Sequence, residues 1–243
     1  MAKLTGKIAL VTGANRGIGK AIALALAAEG ATVAISARGR DDLERTADEI
    51  NKLKSVVLVV PADVTDAKQV EQIFAQVMAR FGRLDILVNN AGAFDGGPLD
   101  ELSVEAWDKV IAVNLRGPFL CTRQAFRIMK TQKGGRIINI GSIAAQRVRP
   151  HSAPYSASKH GLWGLTQVTA LEGREFGITC CALHPGNTMV ERRQESGKKE
   201  DDEPMMTAAE LAETAVLMAT LPPHVNMLEA IVLPVGQLYV GRG

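Results

Sequence analysis

Tyr155 and Lys159 are the pair of residues whose types and spacing best suit chemistry. They stand four positions apart at the start of a helical pattern, and one turn of helix brings such positions to the same face. A cation beside a phenol stabilises the phenolate, and a phenol so placed can donate or accept a proton near neutral pH. The pair predicts acid–base catalysis, and a surface tyrosine beside a solvated lysine is the alternative.

A glycine-rich loop lies between the first predicted strand and the first predicted helix. The apolar run Ile8–Thr12 indicates a buried strand, and apolar residues recur every four positions from Ile18 until Gly30. The glycines of the loop are Gly13, Gly17 and Gly19. Without a Cβ atom they let backbone N–H groups approach an anion at the positive end of the helix. The loop predicts a pyrophosphate site, and a turn that only allows tight helix–sheet packing is the alternative.

The end of the second strand indicates which dinucleotide is bound. The predicted strand Thr32–Ala37 is followed by Arg38, and the next acidic residue is Asp41. An acidic side chain at this place accepts from the ribose 2′-hydroxyl of NAD, whereas arginine pairs with the 2′-phosphate of NADP. With Arg16 in the glycine loop as a second phosphate ligand, the sequence favours NADP(H). Solvated surface arginines are the alternative interpretation.

Polar side chains follow the third and fourth predicted strands. Asp63 comes after Val56–Val60, where its carboxylate would accept from an adenine amino group or stabilise a turn, and both interpretations stay open. Leu84–Val88 is followed by Asn89–Gly92, which offers amides and close backbone approach. Because ligands bind at the carboxyl ends of parallel strands, we expect these residues near a cofactor. An Asx turn is the alternative for the asparagines.

Two further candidates lie in the middle part of the chain. A long helical pattern over Ser103–Lys130 contains Asn114 and then Pro118, and a proline bends a helix and frees a carbonyl group. Such a bend would present the asparagine amide or a carbonyl to a water molecule, and a kink toward solvent is the alternative. The other candidate, Ser142, follows the fifth predicted strand, Gly135–Ile140.

Strands and helices alternate along the whole chain. This pattern predicts an α/β fold with a doubly wound, Rossmann-like parallel sheet of about seven strands and helices on both faces. Ile178–Leu183 and Glu229–Val235 would be the last two strands, and Thr207 and Glu210 form a capping box that opens the last helix. The length of 243 residues suits a single domain, 1–243.

Composition excludes several classes of protein. Hydrophobic residues make up 47% and charged residues 22% of the chain, and the net charge is only +2. Without a long basic run, the electrostatic footprint of a nucleic-acid binder is missing. No apolar segment suits a membrane span or a signal peptide, and an odd set of cysteines, two of them adjacent, argues against disulfides and metal sites. We expect a cytoplasmic protein with no metal and no membrane or nucleic-acid partner.

Taken together, the motifs resemble those of the short-chain dehydrogenases/reductases, in the short single-domain subfamily, over nearly the whole chain. The residues that match are Thr12, Gly13, Gly17, Ile18, Gly19, Asp63, Asn89–Gly92, Asn114, Ser142, Tyr155, Lys159, Pro185 and Gly186. The resemblance implies a catalytic tetrad of Asn114, Ser142, Tyr155 and Lys159, and a nicotinamide cofactor that lies over the strand ends.

The resemblance and the loop positions together give a set of expected contacts. The expected cofactor contacts are Gly13, Asn15, Arg16, Gly17, Ile18, Gly19, Arg38, Asp63, Val64, Asn90, Ala91, Gly92, Tyr155, Lys159, Pro185, Gly186 and Thr188. For the substrate we expect Ala144 and Gln146, in the loop after Ser142. A charged stretch without an apolar period predicts a mobile substrate lid near 187–206.

The side chains of the implied tetrad account for the reaction. In reduction, NADPH delivers a hydride to a carbonyl carbon, Tyr155 protonates the carbonyl oxygen, and Ser142 positions that oxygen. Lys159 stabilises the phenolate and can hydrogen-bond the nicotinamide ribose. Asn114 would hold a water molecule that relays protons to the lysine.

These roles predict an NADPH-dependent ketone or aldehyde reductase, or alcohol dehydrogenase, with a small-molecule carbonyl substrate. A 3-oxoacyl thioester reductase is the enzymatic alternative, in which loop arginines would dock an acidic carrier. Those arginines are Arg147, Arg149, Arg192 and Arg193. A catalytically silent dinucleotide sensor or scaffold is the alternative from another class, and the intact tetrad speaks against it.

Two regions depart from the pattern of the family that the sequence resembles. Many members carry an asparagine shortly before the Pro-Gly pair, where this chain has Cys180–His184, and many end the last strand in an acidic residue and two glycines, where it has Leu233–Gly243. The family is commonly tetrameric through helices such as Ser103–Lys130 and Pro154–Phe176. The resemblance therefore implies a homo-oligomer, either a tetramer or a dimer.

Overall fold

The computed structural model describes residues 2–191 and 203–239. Within these ranges, seven parallel strands form the main sheet in the order β3-β2-β1-β4-β5-β6-β9. Its strands are β1 (Ile8–Thr12), β2 (Thr32–Ser36), β3 (Val57–Val59), β4 (Ile86–Asn89), β5 (Gly135–Ile140), β6 (Ile178–Pro185) and β9 (Glu229–Val232). A separate two-stranded ladder pairs β7 (Thr188–Met189) with β8 (Met206–Thr207).

Helices cover both faces of the sheet, which confirms the doubly wound, Rossmann-like, single-domain fold. They are α1 (Gly17–Ala28), α2 (Arg40–Lys52), α3 (Ala67–Phe81), α4 (Val104–Ile111), α5 (Gly117–Gln132), α6 (Ala153–Gly173) and α7 (Ala208–Thr220). One buried core joins α1, α2 and α7 to the sheet, and a second joins α3 and α5 to its other face. The strand order reverses direction between β1 and β4, and ligands bind at the carboxyl ends of strands beside such a switch point.

Local signals set several helix ends. The capping box is present at the start of α7, where Thr207 Oγ1 accepts from the Glu210 N–H and the Glu210 carboxylate accepts from the Thr207 N–H. At the end of α3, Gly82 adopts φ +72° as a left-handed cap. None of the described helices is both long and apolar enough to cross a membrane.

Two sequence predictions about element boundaries are wrong. The last strand ends at Val232, not at Val235, because Pro234 has no N–H to continue a ladder. The pattern over Ser103–Lys130 is not one bent α-helix, since a π-helical turn over Ala112–Arg116 separates α4 from α5. The other strands differ from prediction by at most two residues at either end.

The expected mobile lid near 187–206 lies mostly outside the described residues. Its described ends are 187–191 and 203–206, and they meet in the β7–β8 ladder, where Thr188 pairs with Met206 and Met189 with Thr207. This short ladder is not part of the sequence prediction, because two-residue strands carry too little pattern to be recognised.

A chain of buried polar side chains joins the middle of the sheet to the helices on one face. Asn89 Nδ2 donates to Asn139 Oδ1 at 2.8 Å and to Thr122 Oγ1 at 3.0 Å. Asn139 Nδ2 in turn donates to Thr166 Oγ1 on α6 at 2.8 Å. These groups are buried, so each depends on its partner for the hydrogen bonds that water would otherwise supply.

We predict that Asn139→Leu lowers the free energy of unfolding by about 2–3 kcal/mol, because Asn89 Nδ2 and Thr166 Oγ1 each lose a buried hydrogen bond and keep only their bonds to Thr122 and to Leu162 O. Chemical denaturation measures the change. Asn51→Leu, at an exposed position near the end of α2, is the matched control and is expected to change stability by less than about 0.5 kcal/mol. Equal stability of the two variants would show that the polar chain adds nothing net.

Candidate active site

The predicted functional residues come together at the carboxyl edge of the sheet. The glycine loop follows β1, Asn90 follows β4, Ser142 follows β5, and Pro185 is the last residue of β6. In a parallel sheet these ends lie on one side, so separate stretches of sequence share one crevice. The helix α6, which carries Tyr155 and Lys159, begins at the same edge.

The glycine loop packs too tightly for side chains. Gly13 and Gly17 adopt φ values of +63° and +56°, which favour glycine. A Cβ atom on Gly19 would lie 2.2 Å from Asn90 Nδ2 and 2.3 Å from Gly13 O. Asn90 Nδ2 donates to the carbonyl groups of Thr12 and Gly13, both at 3.0 Å. The Asn90 amide thus stabilises the glycine loop through its main-chain carbonyl groups. The expected contact of Asn90 with a cofactor stays a prediction.

The first turn of α1 holds an anionic side chain of the protein itself. Gly17 N–H donates to Glu191 Oε1 at 3.3 Å, and the first turn contains no acidic residue of its own. The other carboxylate oxygen, Oε2, is buried without a hydrogen-bond partner among the described residues. A helix N-terminus attracts negative charge, so the Glu191 carboxylate is a stand-in for the phosphate expected here. The residues therefore fit a pyrophosphate group.

The residues expected to bind the adenosine half have different surroundings. Arg16 and Arg38 are both exposed and follow the adjacent strands β1 and β2. Asp63 Oδ1 accepts from the N–H and the hydroxyl of Thr65 at 2.9 and 2.8 Å. These two bonds agree with the role of Asp63 in stabilising a turn. The other carboxylate oxygen, Oδ2, is the atom that would accept from an adenine amino group. Val64 is buried against Gly117.

Lys159 is buried beside Tyr155, as the helical spacing predicts. Lys159 is only 6% exposed. Its Nζ donates to Ile140 O at 2.8 Å and lies 5.6 Å from the centre of the Tyr155 ring. Burial lowers the pKa of Lys159, and the charge of Tyr155 opposes this shift. The tyrosine ring also packs on Phe94, with centroids 5.3 Å apart.

Ser142 stands at the N-terminus of a short 3-10 turn, Ile143–Ala145. Its Oγ accepts from Ala144 N–H at 3.1 Å, which directs a lone pair into the turn and leaves the hydroxyl hydrogen to donate elsewhere. Of the two expected substrate contacts, Ala144 is half-buried and Gln146 is exposed. Gln146 Nε2 donates to Glu229, and its Oε1 accepts from Tyr239.

Asn114 lies inside the π-helical turn and is 1% exposed. Its Oδ1 accepts from Ala93 N–H at 2.7 Å, and its Nδ2 donates to Ala93 O at 2.8 Å and to Ser158 Oγ at 3.3 Å. These bonds tie the wide turn to the strand β4 loop and to α6. Such turns often occur at functional sites. The water relay expected of Asn114 stays a prediction.

The loop after β6 is held from several sides. Gly186 N–H donates to Val232 O at 2.8 Å, and Thr188 Oγ1 donates to Gly186 O at 3.2 Å. Asn187 N–H donates to Gln237 Oε1 at 2.7 Å. A Cβ atom on Gly186 would lie 2.2 Å from the same glutamine oxygen. The expected contacts Pro185, Gly186 and Thr188 therefore stand in a fixed loop.

Sequence reasoning missed three residues at this edge: His184, Glu191 and Gln237. His184 and Gln237 fall in regions that depart from the family pattern, and Glu191 lies in a stretch whose charges look solvated. The sequence feature that they share is their position, because each lies near the end of a strand or near the Pro-Gly pair. A group of three residues that could hold a metal ion is not found in the described part of the chain.

Comparison with known proteins decides the family. The family model described as short chain dehydrogenase matches residues 7–201. The chain belongs to the short-chain dehydrogenase/reductase family. It is similar to a 3-oxoacyl-acyl-carrier-protein reductase from Synechocystis, with 43% identity over 187 residues, which is 76% of each chain.

Solved structures of short-chain dehydrogenases/reductases agree with this fold. A metagenomic short-chain oxidoreductase in complex with NADP is 34% identical, with a TM-score of 0.85 and coverage of 96% of this chain and 98% of that one. A variant of actinorhodin polyketide ketoreductase with NADPH is 33% identical, with a TM-score of 0.87 and coverage of 97% and 98%. The chain is thus an oxidoreductase of a family that binds a nicotinamide cofactor.

Proposed function

We propose that this short-chain dehydrogenase/reductase is an NADPH-dependent reductase of a ketone or aldehyde. The observation that carries the proposal is the buried Lys159 ammonium group, which lies between the Tyr155 ring and the end of β5 that leads to Ser142. A buried amine at a crevice next to a phenol and a hydroxyl is an arrangement suited to proton transfer. The glycine loop follows β1, which lies two strands away from β5 in the same parallel sheet.

The residues of the chain divide the work of protonation. Tyr155 gives its proton to the carbonyl oxygen as negative charge develops there, and the Ser142 hydroxyl donates a hydrogen bond to the same oxygen. The Lys159 ammonium group stabilises the resulting phenolate. Asn114 supports this geometry through Ser158, one residue before the lysine. When bound, the nicotinamide cofactor supplies the hydride.

Preference for NADP(H) is part of the proposal. Arg16 and Arg38 belong to loops that follow neighbouring strands, and Ala14 N–H donates to Ser36 O at 3.2 Å to hold those loops together. Two guanidinium groups there would pair with a 2′-phosphate. The NADP and NADPH complexes of the two similar structures support the same preference.

A 3-oxoacyl thioester reductase is a second candidate, favoured by the 43% identity to the Synechocystis reductase. The carrier-docking role of the loop arginines has less support. Arg149 Nη2 lies 3.4 Å from Glu203 Oε2, and the Arg147 guanidinium lies over the Tyr239 ring at 5.7 Å. Arg192 and Arg193 lie outside the described residues. Carbonyl reduction is common to both candidates, so they differ only in the substrate.

The proposal includes a homo-oligomer. Several large apolar side chains on α4, α5 and α6 are exposed, which suits burial against other copies of the chain. They are Trp107, Phe119, Val168 and Leu171. A cytoplasmic location stays a prediction.

We predict that Tyr155→Phe lowers turnover by on the order of 10²-fold or more, because the general acid is lost. The measurement is NADPH oxidation with a panel of ketones, aldehydes and 3-oxoacyl thioesters, run in parallel with NADH. The panel also separates the two candidate substrates by their kcat/KM values.

Tyr239→Phe is the control for this substitution, because it removes a hydroxyl from the second tyrosine of the chain. Tyr239 donates to Gln146 rather than standing beside Lys159, so a much smaller effect on kcat is expected. Unchanged turnover in Tyr155→Phe would contradict the assigned role, and a wild-type protein that reduces no carbonyl compound would contradict the proposed function.

We predict that Arg38→Asp weakens NADPH binding far more than NADH binding, since an acidic residue repels the 2′-phosphate. Fluorescence titration of each cofactor gives the two dissociation constants. Arg127→Asp changes the net charge equally at an exposed position on α5 and is expected to leave their ratio unchanged. Equal affinity of the wild-type protein for NADPH and NADH would refute the preference.

We also predict that Glu191→Gln tightens NADPH binding about threefold to tenfold. The carboxylate that accepts from Gly17 N–H competes with a pyrophosphate for the same helix end, and a neutral amide competes less. Calorimetric titration measures the affinity. Glu101→Gln, in an exposed turn, is the matched control; equal affinities of the two variants would contradict the competition.

A further inference from the structure

His184 is a buried histidine that the reaction proposed above does not use. It is the residue before Pro185 at the end of β6, and it is only 1% exposed. A buried imidazole requires partners for its ring nitrogens. Its contacts lead to the main chain of Ser142 on one side and to the edge strand β9 on the other.

The contact with Ser142 defines the tautomer of the ring. His184 Nδ1 lies 2.9 Å from Ser142 O, and the Ser142 N–H also points at Nδ1, at an N–N distance of 3.2 Å. The shorter distance joins Nδ1 to an oxygen that can only accept, and two lone pairs at 2.9 Å would repel each other. On this shorter distance we assign the proton to Nδ1, so that the imidazole donates to the Ser142 carbonyl group. In the other tautomer Nδ1 would accept from the Ser142 N–H and Nε2 would carry the proton toward Glu229.

The surroundings hold the ring in this position. A Cβ atom on Gly141 would lie 2.4 Å from His184 Nδ1 and 2.7 Å from Cε1, so the imidazole packs directly on the peptide that leads into Ser142. Gly141 N–H donates to Leu183 O at 2.7 Å, which extends the ladder between β5 and β6 to this point. The Trp163 ring meets the imidazole edge-on, with centroids 5.8 Å apart.

The far nitrogen faces a carboxylate. His184 Nε2 lies 3.4 Å from Glu229 Oε1 but has no aligned hydrogen-bond partner in the part of the chain that the structure describes. Burial lowers the pKa of His184; the Ser142 carbonyl and Glu229 oppose that shift, and Lys159 adds to it. The ring is therefore neutral at neutral pH, with its single proton on Nδ1.

We propose that His184 is a positioning residue for Ser142, whose carbonyl group it holds so that the Ser142 hydroxyl is aimed at the substrate oxygen. The proposal rests on the proposed function, in which that hydroxyl donates to a carbonyl oxygen. Ser142 Oγ already accepts from Ala144 N–H at 3.1 Å, so the direction of its hydrogen depends on the orientation of the local main chain. A misplacement on the order of 1 Å can lower a rate by about 10²-fold.

The decisive experiment compares His184→Asn with His184→Leu. The two new side chains have the same branched shape, but only asparagine has an N–H donor at the place of Nδ1. We expect His184→Leu to lower kcat about tenfold or more with an unchanged KM for NADPH. His184→Asn is expected to stay within about threefold of the wild-type kcat. Equal kcat values for the two variants would overturn the proposal, because packing alone would then explain the residue.

A second measurement uses the wild-type protein and needs no substrate. Nitrogen-15 correlation spectra of histidine side chains near neutral pH report the tautomer of each ring, and the signals of His184 are those that disappear in His184→Asn. Protonation at Nδ1 is expected, and protonation at Nε2 alone would overturn the proposal. A wild-type protein that reduces no compound of the carbonyl panel would defeat the proposed function, while the tautomer would still decide the contact with Ser142.

Discussion

The arrangement of the active site depends on one buried cation. Lys159 Nζ donates to Ile140 O at 2.8 Å, and this bond joins α6 to the end of β5 just before Ser142. An ammonium group taken out of water is costly unless charge or hydrogen bonds compensate for lost solvation. Burial accordingly lowers the pKa of Lys159, whereas negative charge on Tyr155 favours the ammonium form. The proton positions of the two side chains are therefore linked, which is useful where a phenol must lose and regain a proton.

Buried hydrogen bonds between the sheet and α6 keep the Lys159 ammonium group in place. The chain from Asn89 through Asn139 to Thr166 connects two central strands to α6, about two helical turns beyond Lys159. Asn114 makes a second connection, from the π-helical turn to Ser158. Apolar packing would hold the helix at a given distance from the sheet but allow it to slide, whereas buried hydrogen bonds are directional and satisfied in one register. The same bonds thus fix both the position of α6 along the sheet and its rotation about its own axis.

The sequence predicts what depends on local pattern and misses what depends on distant partners. Apolar runs, glycines and the capping box at Thr207 are local signals, and the sheet, the glycine loop and α7 follow them. Asn114, inside the π-helical turn, bonds Ala93, a residue 21 positions away. The Asn90 amide donates to loop carbonyl groups 77 and 78 positions away. No period in the sequence reports such contacts. His184 stands out only as a departure from a family pattern until its distance to Ser142 is known.

The departures in the last strand and the tail have a physical explanation in the loop after Pro185. In this tail Gln237 is 7% exposed, and its Oε1 accepts from Asn187 N–H at 2.7 Å. Asn187 Nδ2 donates to Glu203 Oε2 at 2.5 Å, which ties the same residue to the far described end of the segment 187–206. Cys181, near the position of the missing asparagine, is buried, and burial raises the pKa of its thiol to about 12, so it serves packing and not chemistry. The tail therefore supports the loop that carries expected cofactor contacts, through the contacts of Gln237 with Asn187 and Gly186.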